Sequence, residues 1–168
     1  MKLRALPAMF SMIPATLQGV RPQDIDQIKK ITRLSFPRVQ QTSTETLARW
    51  MAEGDSLLLI DVRAAKEFQV SHLYGALNFQ SATRIWKIIQ ERGPSRTVLY
   101  CSVGFRSSRI AEVLLQREVS NVSNLEGSIF AWANEDRPVY QGETAVPKVH
   151  PYGRRWAGLL RNGLAAFQ

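Results

Sequence analysis

Apolar positions along this chain follow two alternating rhythms. Short unbroken runs, Leu57-Leu58-Leu59-Ile60-Asp61-Val62 and Val98-Leu99-Tyr100, read as strands, and a further short strand falls around Val122 to Leu125. Between them the apolar residues recur at helical spacing: Leu47, Trp50 and Met51, then Ile85, Trp86, Ile88 and Ile89, then Ile110, Val113, Leu114 and Leu115. Strands with no polar alternation suit a parallel sheet covered on both faces, and they are too short for a membrane helix. Upstream, Ile25, Ile28, Ile31 and Leu34 repeat every three positions and predict a short amphipathic helix that Pro37 closes. Thr42 with Glu45 forms a capping-box pattern for the helix before Gly54. Ala64 to Val70 is helix-compatible, His72 to Phe79 suits a turn and another strand, and Gly93-Pro94 ends the following helix. Ser107 is placed to cap a helix running to about Glu118, and Gly127 precedes a last helix start at Ile129-Phe130-Ala131-Trp132. The alternation predicts an α/β fold: three layers, with a mostly parallel central sheet flanked by helices. In such sheets ligands bind outside the carboxyl ends of the strands, where Asp61 and Cys101 both fall.

A chain of 168 residues is long enough to bury a full core as one domain with extensions. The expected division is a basic N-terminal extension, 1–35, with its short helix; a core domain, 36–140; and a basic tail, 141–168. In that tail Trp156, Leu159, Leu160, Leu164 and Phe167 can share a face of an amphipathic helix. Such a helix either packs back on the domain or makes a weak contact with a membrane surface or a partner. The formal charge of +8 resembles a nucleic-acid signature until it is located. Residues 41–140 carry 11 Lys/Arg against 11 Asp/Glu, whereas residues 1–40 carry seven against two and 141–168 four against one. The core is neutral and the excess lies in the flanks, which argues against a nucleic-acid partner. Lys2 and Arg4 ahead of Ala5 to Ala15 resemble a weak export signal, interrupted by Pro7 and Pro14 and without a clean cleavage site. A reducing cytoplasm is the expected location.

Cys101 is the single cysteine, so an internal disulfide and a thiol-only metal site are both excluded. It ends the Val98 to Tyr100 strand and opens the loop Ser102-Val103-Gly104-Phe105-Arg106. A short loop closing on a helix N-terminus gathers N–H donors around one sulfur, lowering its pKa and cradling an anion. Gly104 relieves steric limits in that loop, and Arg106 adds a charge that is never lost. Cys101 is therefore a candidate nucleophile. The alternatives are a buried cysteine acting as a small hydrophobe and an Arg106 that forms an ordinary surface ion pair. No cluster of His, Cys and carboxylates has metal-ligand spacing, so neither metal nor other cofactor is expected.

Three segments together resemble the rhodanese family, over about Phe36 to Tyr140. Asp61-Val62-Arg63, Glu67-Phe68, His72-Leu73-Tyr74-Gly75-Ala76 and Asn78 resemble its first signature, with Ser71 where the family usually has glycine. Cys101 to Arg106 resembles its active-site loop, and Gly127-Ser128-Ile129-Phe130-Ala131-Trp132 its closing signature. The resemblance implies sulfurtransferase activity through a Cys101 persulfide. The donor would be thiosulfate, another small anionic sulfur compound or a persulfide-carrying protein, and the acceptor a thiol or cyanide. It implies that the amides of 102–106 stabilise the anion, that Arg106 anchors an anionic donor or leaving group, and that Asp61 and Arg63 shape and polarise the pocket floor. An Arg63–Glu67 salt bridge is an equally admissible structural role, and His72 is expected to serve the fold. Phosphatases and arsenate reductases on this fold are similar but place five residues between cysteine and arginine. Here four intervene and position 107 is serine. A non-catalytic rhodanese-like binding or regulatory module is the remaining alternative.

Overall fold

Val98, Leu99 and Tyr100 are fully buried on both faces of their strand, as an unbroken apolar run requires when helices cover a parallel sheet from both sides. The computed structural model describes residues 24–54 and 56–167. The apolar stretch weighed as an export signal lies outside them. Five parallel strands form the central sheet: β1 (Gln40–Thr42), β2 (Leu57–Asp61), β3 (Leu77–Asn78), β4 (Arg96–Tyr100) and β5 (Val122–Leu125). Their spatial order is β1-β5-β4-β2-β3, which puts β4 at the centre. Pairing runs from Leu57↔Arg96 to Asp61↔Tyr100 and from Thr97↔Val122 to Leu99↔Asn124. Asp61, Cys101 and Leu125 consequently reach the same carboxyl edge.

Alternate residues of these strands feed two cores. Leu59, Val98, Tyr100 and Leu125 face α1 (Ile25–Ser35), α2 (Thr44–Glu53) and α6 (Ser128–Asn134), through Ile28, Leu47, Ile129 and Phe130. Leu58, Ile60, Leu99 and Val122 face α4 (Ala82–Arg92) and α5 (Phe105–Gln116), through Ile85, Ile89, Ala111 and Leu114. The short α3 (Ala65–Val70) follows β2 directly. The three-layer α/β architecture with a parallel central sheet is as the periodicity predicts.

Local details differ for identifiable reasons. The α2 cap is Ser43, whose Oγ accepts from Thr46 N–H at 3.1 Å, while Thr42 ends β1 and shares a 2.7 Å hydrogen bond with Ser123. Ser107 does not cap α5: Gly104 does, in the left-handed region, because the loop turns into the helix three residues earlier than the serine suggests. In α1, Leu34 is 81 % exposed. A three-residue step drifts about 60° around a helix of 3.6 residues per turn, so the fourth apolar residue leaves the face that Ile28 and Thr32 bury.

Several elements escaped the periodicity, among them β1, whose Gln40-Gln41-Thr42 has no apolar residue. A hairpin joins β6 (Val139–Gln141) to β7 (Thr144–Val146), and the tail forms a 3₁₀ helix, Arg154–Leu159, in place of an amphipathic α-helix. The tail packs back on the domain. Val149, Leu159 and Leu160 are buried in the core beside α6, Phe167 stays exposed, and Asn134 Nδ2 donates to Leu159 O at 2.7 Å. Among the described residues no helix is long and apolar enough to cross a membrane.

Packing of the tail predicts opposite outcomes for two leucines. Leu159→Ala should lower stability by about 2–5 kcal/mol, the range for emptying a buried leucine site. Leu34→Ala should change it by less than about 0.5 kcal/mol, as an exposed substitution does. Urea unfolding of both variants at unchanged m-value checks the contrast.

Candidate active site

Four alternating charges and one sulfur are gathered where β2 and β4 end. The first pair stands at the end of β2. Asp61 and Arg63, two apart, have side chains at 0 % exposure, and Arg63 Nε and Nη2 donate to the Asp61 carboxylate at 2.7–3.0 Å. Arg63 N–H adds a bond to Asp61 Oδ1 at 2.9 Å, and Nη2 donates to Ser71 O at 2.6 Å, leaving Nη1 without a partner among the described residues. Burial would lower the Arg63 pKa, but Asp61 outweighs it and the net direction is upward. The pair sits on the Tyr100 side of the sheet, with the guanidinium 5.9 Å from the Tyr100 ring centroid. The Tyr100 hydroxyl accepts from Leu73 N–H at 3.0 Å, and burial pushes its own pKa well up.

Glu67 on α3 supplies the second acid. It does not pair with Arg63, because Asp61 already holds that guanidinium; instead it binds Arg106 across the cleft. Arg106 Nη1 and Nη2 donate to its two oxygens at 3.0 and 2.9 Å, a bidentate fork. Ser102 Oγ completes the knot, accepting from Arg106 Nη2 at 3.0 Å and donating to Glu67 Oε1 at 3.3 Å. Burial would raise the Glu67 pKa, yet Arg106 and the Ala64 amide, 2.9 Å from Oε2, hold it below the ordinary carboxylate value. The edge of Arg106 that was expected to meet an anionic donor is thus occupied by a carboxylate of the protein itself.

Cys101 is 1 % exposed, with Sγ beneath the first turn of α5. The first amides of a helix have no carbonyl partner within it, and here they turn to the sulfur: Gly104 N–H donates to Sγ at 3.2 Å. Gly104 is at φ 104°, and a Cβ there would stand 3.0 Å from Asn124 Nδ2, so glycine is needed on both counts. Burial raises the thiol pKa, but the Arg106 charge and donation from Ser107 and Gly104 outweigh it, leaving the pKa below its ordinary value. Ser107 has one hydroxyl proton, donated here to Asn124 Oδ1 at 2.6 Å. Val103 is buried in one core, and Phe105 meets the Phe36 ring edge-on at 4.9 Å in the other, so the two apolar loop residues anchor it.

The closing segment braces the loop from the far side. Ser128 Oγ accepts from Cys101 N–H at 3.1 Å and donates to Leu125 O at 3.0 Å, while Ile129 and Phe130 N–H donate to the carbonyls of Cys101 and Ser102 at 3.2 and 3.1 Å. Gly127 permits this approach at φ 68°, since a Cβ would come within 2.6 Å of Ala131 Cβ. His72 serves the fold: its ring stacks on Phe68 at 4.0 Å and its backbone bridges to Tyr140. Ser71 is extended at φ −169°, a conformation open to any residue, so serine replaces glycine without strain. The periodicity gave no sign of Ser128, of Asn124 or of the Glu67–Arg106 pair, all made by residues distant in sequence. Among the described residues no group of His, Cys, Asp or Glu is placed to hold a metal.

A family model described as "Rhodanese-like domain" matches residues 43–135. A "Sulfurtransferase" from Allochromatium vinosum is 30% identical over 108 residues, covering 62% of this chain and 98% of that protein. A "Probable adenylyltransferase/sulfurtransferase MoeZ" from Mycobacterium tuberculosis is 33% identical over 133 residues, covering 74% of this chain. The chain spans only 33% of that relative's length. The crystal structure of a thiosulfate sulfurtransferase from Pseudomonas aeruginosa shares the fold at a TM-score of 0.59 and 16% identity, over 71% of this chain and 23% of that one.

Two outcomes follow from this geometry. The rate of Cys101 alkylation by iodoacetamide should rise with pH to a midpoint below that of a free thiol. Arg106→Gln should move that midpoint up, and Glu67→Gln should move it down, because Arg106 then faces the sulfur without its counter-charge. Separately, Asp61→Asn leaves a buried guanidinium unbalanced and should cost about 3–5 kcal/mol in urea unfolding.

Proposed function

Because the chain belongs to the rhodanese-like domain family, we propose that it is a sulfurtransferase carrying a sulfane sulfur on Cys101. The observation behind this reading is the buried sulfur under helix-terminal amides, its pKa held below that of a free thiol despite burial. That combination favours a thiolate nucleophile held away from water by N–H donors.

In the first half-reaction the Cys101 thiolate attacks the outer sulfur of thiosulfate. A new S–S bond forms to Cys101, the old one breaks, and sulfite leaves with the bonding pair. The persulfide anion then occupies the ring of amides of residues 102–106, where backbone donors fixed in advance stabilise charge without reorganising. In the second half-reaction a thiolate or cyanide attacks the outer sulfur and Cys101 departs as thiolate, so charge balances in both steps. Arg106 keeps the potential positive through both. A protein persulfide would enter by the same attack, and the chemistry is supported best in a reducing compartment such as the cytoplasm. Four residues between Cys101 and Arg106 make a ring suited to a sulfur, narrower than the five-residue oxyanion cradle of phosphatases.

Near-complete closure of the thiol favours a second reading, a binding module in which Cys101 is inert. Sulfur loading separates the two. Incubated with thiosulfate or a cysteine-desulfurase donor, the full chain should gain the mass of one sulfur, and Cys101→Ser should gain none. Absence of the adduct with both donors, or its persistence in Cys101→Ser, would overturn the sulfurtransferase reading.

A further inference from the structure

The loop after the hairpin brings an aromatic ring back to the cleft. Val149 is fully buried and His150 is 6 % exposed, and together they pin the chain to the domain just before Tyr152. Tyr152 then lies over Arg106, with the guanidinium carbon 4.7 Å from its ring centroid. Glu67 and Ser102 take three of the five N–H donors of that guanidinium, and Tyr152 covers one face of the plane that carries the rest.

The backbone at Tyr152 is not at rest. Its φ is 64°, and Gly153 N–H donates to Pro151 O at 2.7 Å around it, the i→i+2 pattern of a γ-turn. Such turns at positive φ are rare and strained, and strain of this kind persists where surrounding structure imposes it. Here Tyr152 N–H donates to His150 Nδ1 at 3.1 Å. Burial lowers the His150 pKa; Glu67 pulls it up, while Lys66, Arg63 and Arg106 push it down. Nδ1 is the acceptor in the bond from Tyr152 N–H. Arg106 belongs to α5, whereas the Tyr152 ring that lies over it is 40 % exposed and carried on a turn.

We propose that Tyr152 is the specificity-determining residue of this site: its ring on Arg106 narrows the approach to Cys101, admitting slim sulfur compounds and excluding bulky ones. For its substrate class the inference rests on the sulfurtransferase reading. The steric claim does not.

Cys101 is the single cysteine, so intact mass reads this one site in the full chain. Alkylation rates are measured with iodoacetamide, with iodoacetate and with a pyrene maleimide, alongside thiosulfate loading. In Tyr152→Ala the maleimide-to-iodoacetamide ratio should rise about tenfold, the scale on which a pocket discriminates by size. The iodoacetate-to-iodoacetamide ratio should rise with it as the face of Arg106 opens. Tyr152→Phe, which keeps the ring, should retain the wild-type ratios, and Tyr152→Trp should lower the maleimide ratio. A maleimide ratio within about twofold of wild type in both Tyr152→Ala and Tyr152→Trp overturns the proposal, since size selection then lies elsewhere. Shifted ratios in a protein that takes no sulfur would leave Tyr152 as the gate and remove the sulfurtransferase reading. Sulfur loading with unshifted ratios would do the reverse.

Discussion

A sulfur that is 1 % exposed can hold negative charge only if the protein supplies what water would. That requirement organises the carboxyl edge of the sheet. Burial disfavours the thiolate, and the only donors that can approach it without side chains of their own are backbone amides at the start of a helix. The loop therefore turns at once into α5, and Gly104 is the residue that lets it do so. Arg106 adds the permanent charge. A guanidinium in the same cleft needs an anion in turn, and Glu67 provides it from the other side. Charge at this edge is balanced pair by pair, with Asp61 and Arg63 forming the second pair beneath.

This balance sets the strength of the site as well as its stability. Glu67 draws part of the Arg106 field away from Cys101, so the thiol pKa is lowered by less than an unpaired arginine would achieve. What the protein gains is a fixed Arg106: the fork from Glu67 and the bond to Ser102 hold the guanidinium plane, and a fixed plane presents a flat face for Tyr152 to cover. The tail, remote in sequence from Cys101, thereby reaches Arg106. Its hold on the domain through Val149, Leu159 and Leu160 makes that contribution structural and not incidental.

The central strands β2 and β4 and the reactive residue were legible because each depends on a local run. Leu57 to Asp61 and Arg96 to Tyr100 are strands since their apolar continuity suits burial on both faces. Cys101 is at a strand end because that run stops there. Helix ends were less legible: Thr42 and Ser43 both have cap chemistry, and pairing of Thr42 with Ser123 across the sheet decided between them. Leu34 looked like a core residue because a three-residue repeat resembles a helix face over two turns and departs from it over three.

The sequence by itself determined the α/β order, the place of Cys101 at the carboxyl end of β4 and the four-residue reach to Arg106. These are properties of neighbouring residues, whose spacing is set by the backbone whatever the rest of the chain does. Tertiary structure alone decided which acid Arg106 would meet, that Ser128 would brace the Cys101 amide, and that Tyr152 would lie over Arg106. Each is a contact between segments far apart in the chain, and such contacts exist only once two cores have closed on either face of the sheet. Arg63 shows the difference in one residue. Glu67, four positions on, was as admissible a partner as any, but Asp61 lies two residues back on the same strand end and was already turned toward it.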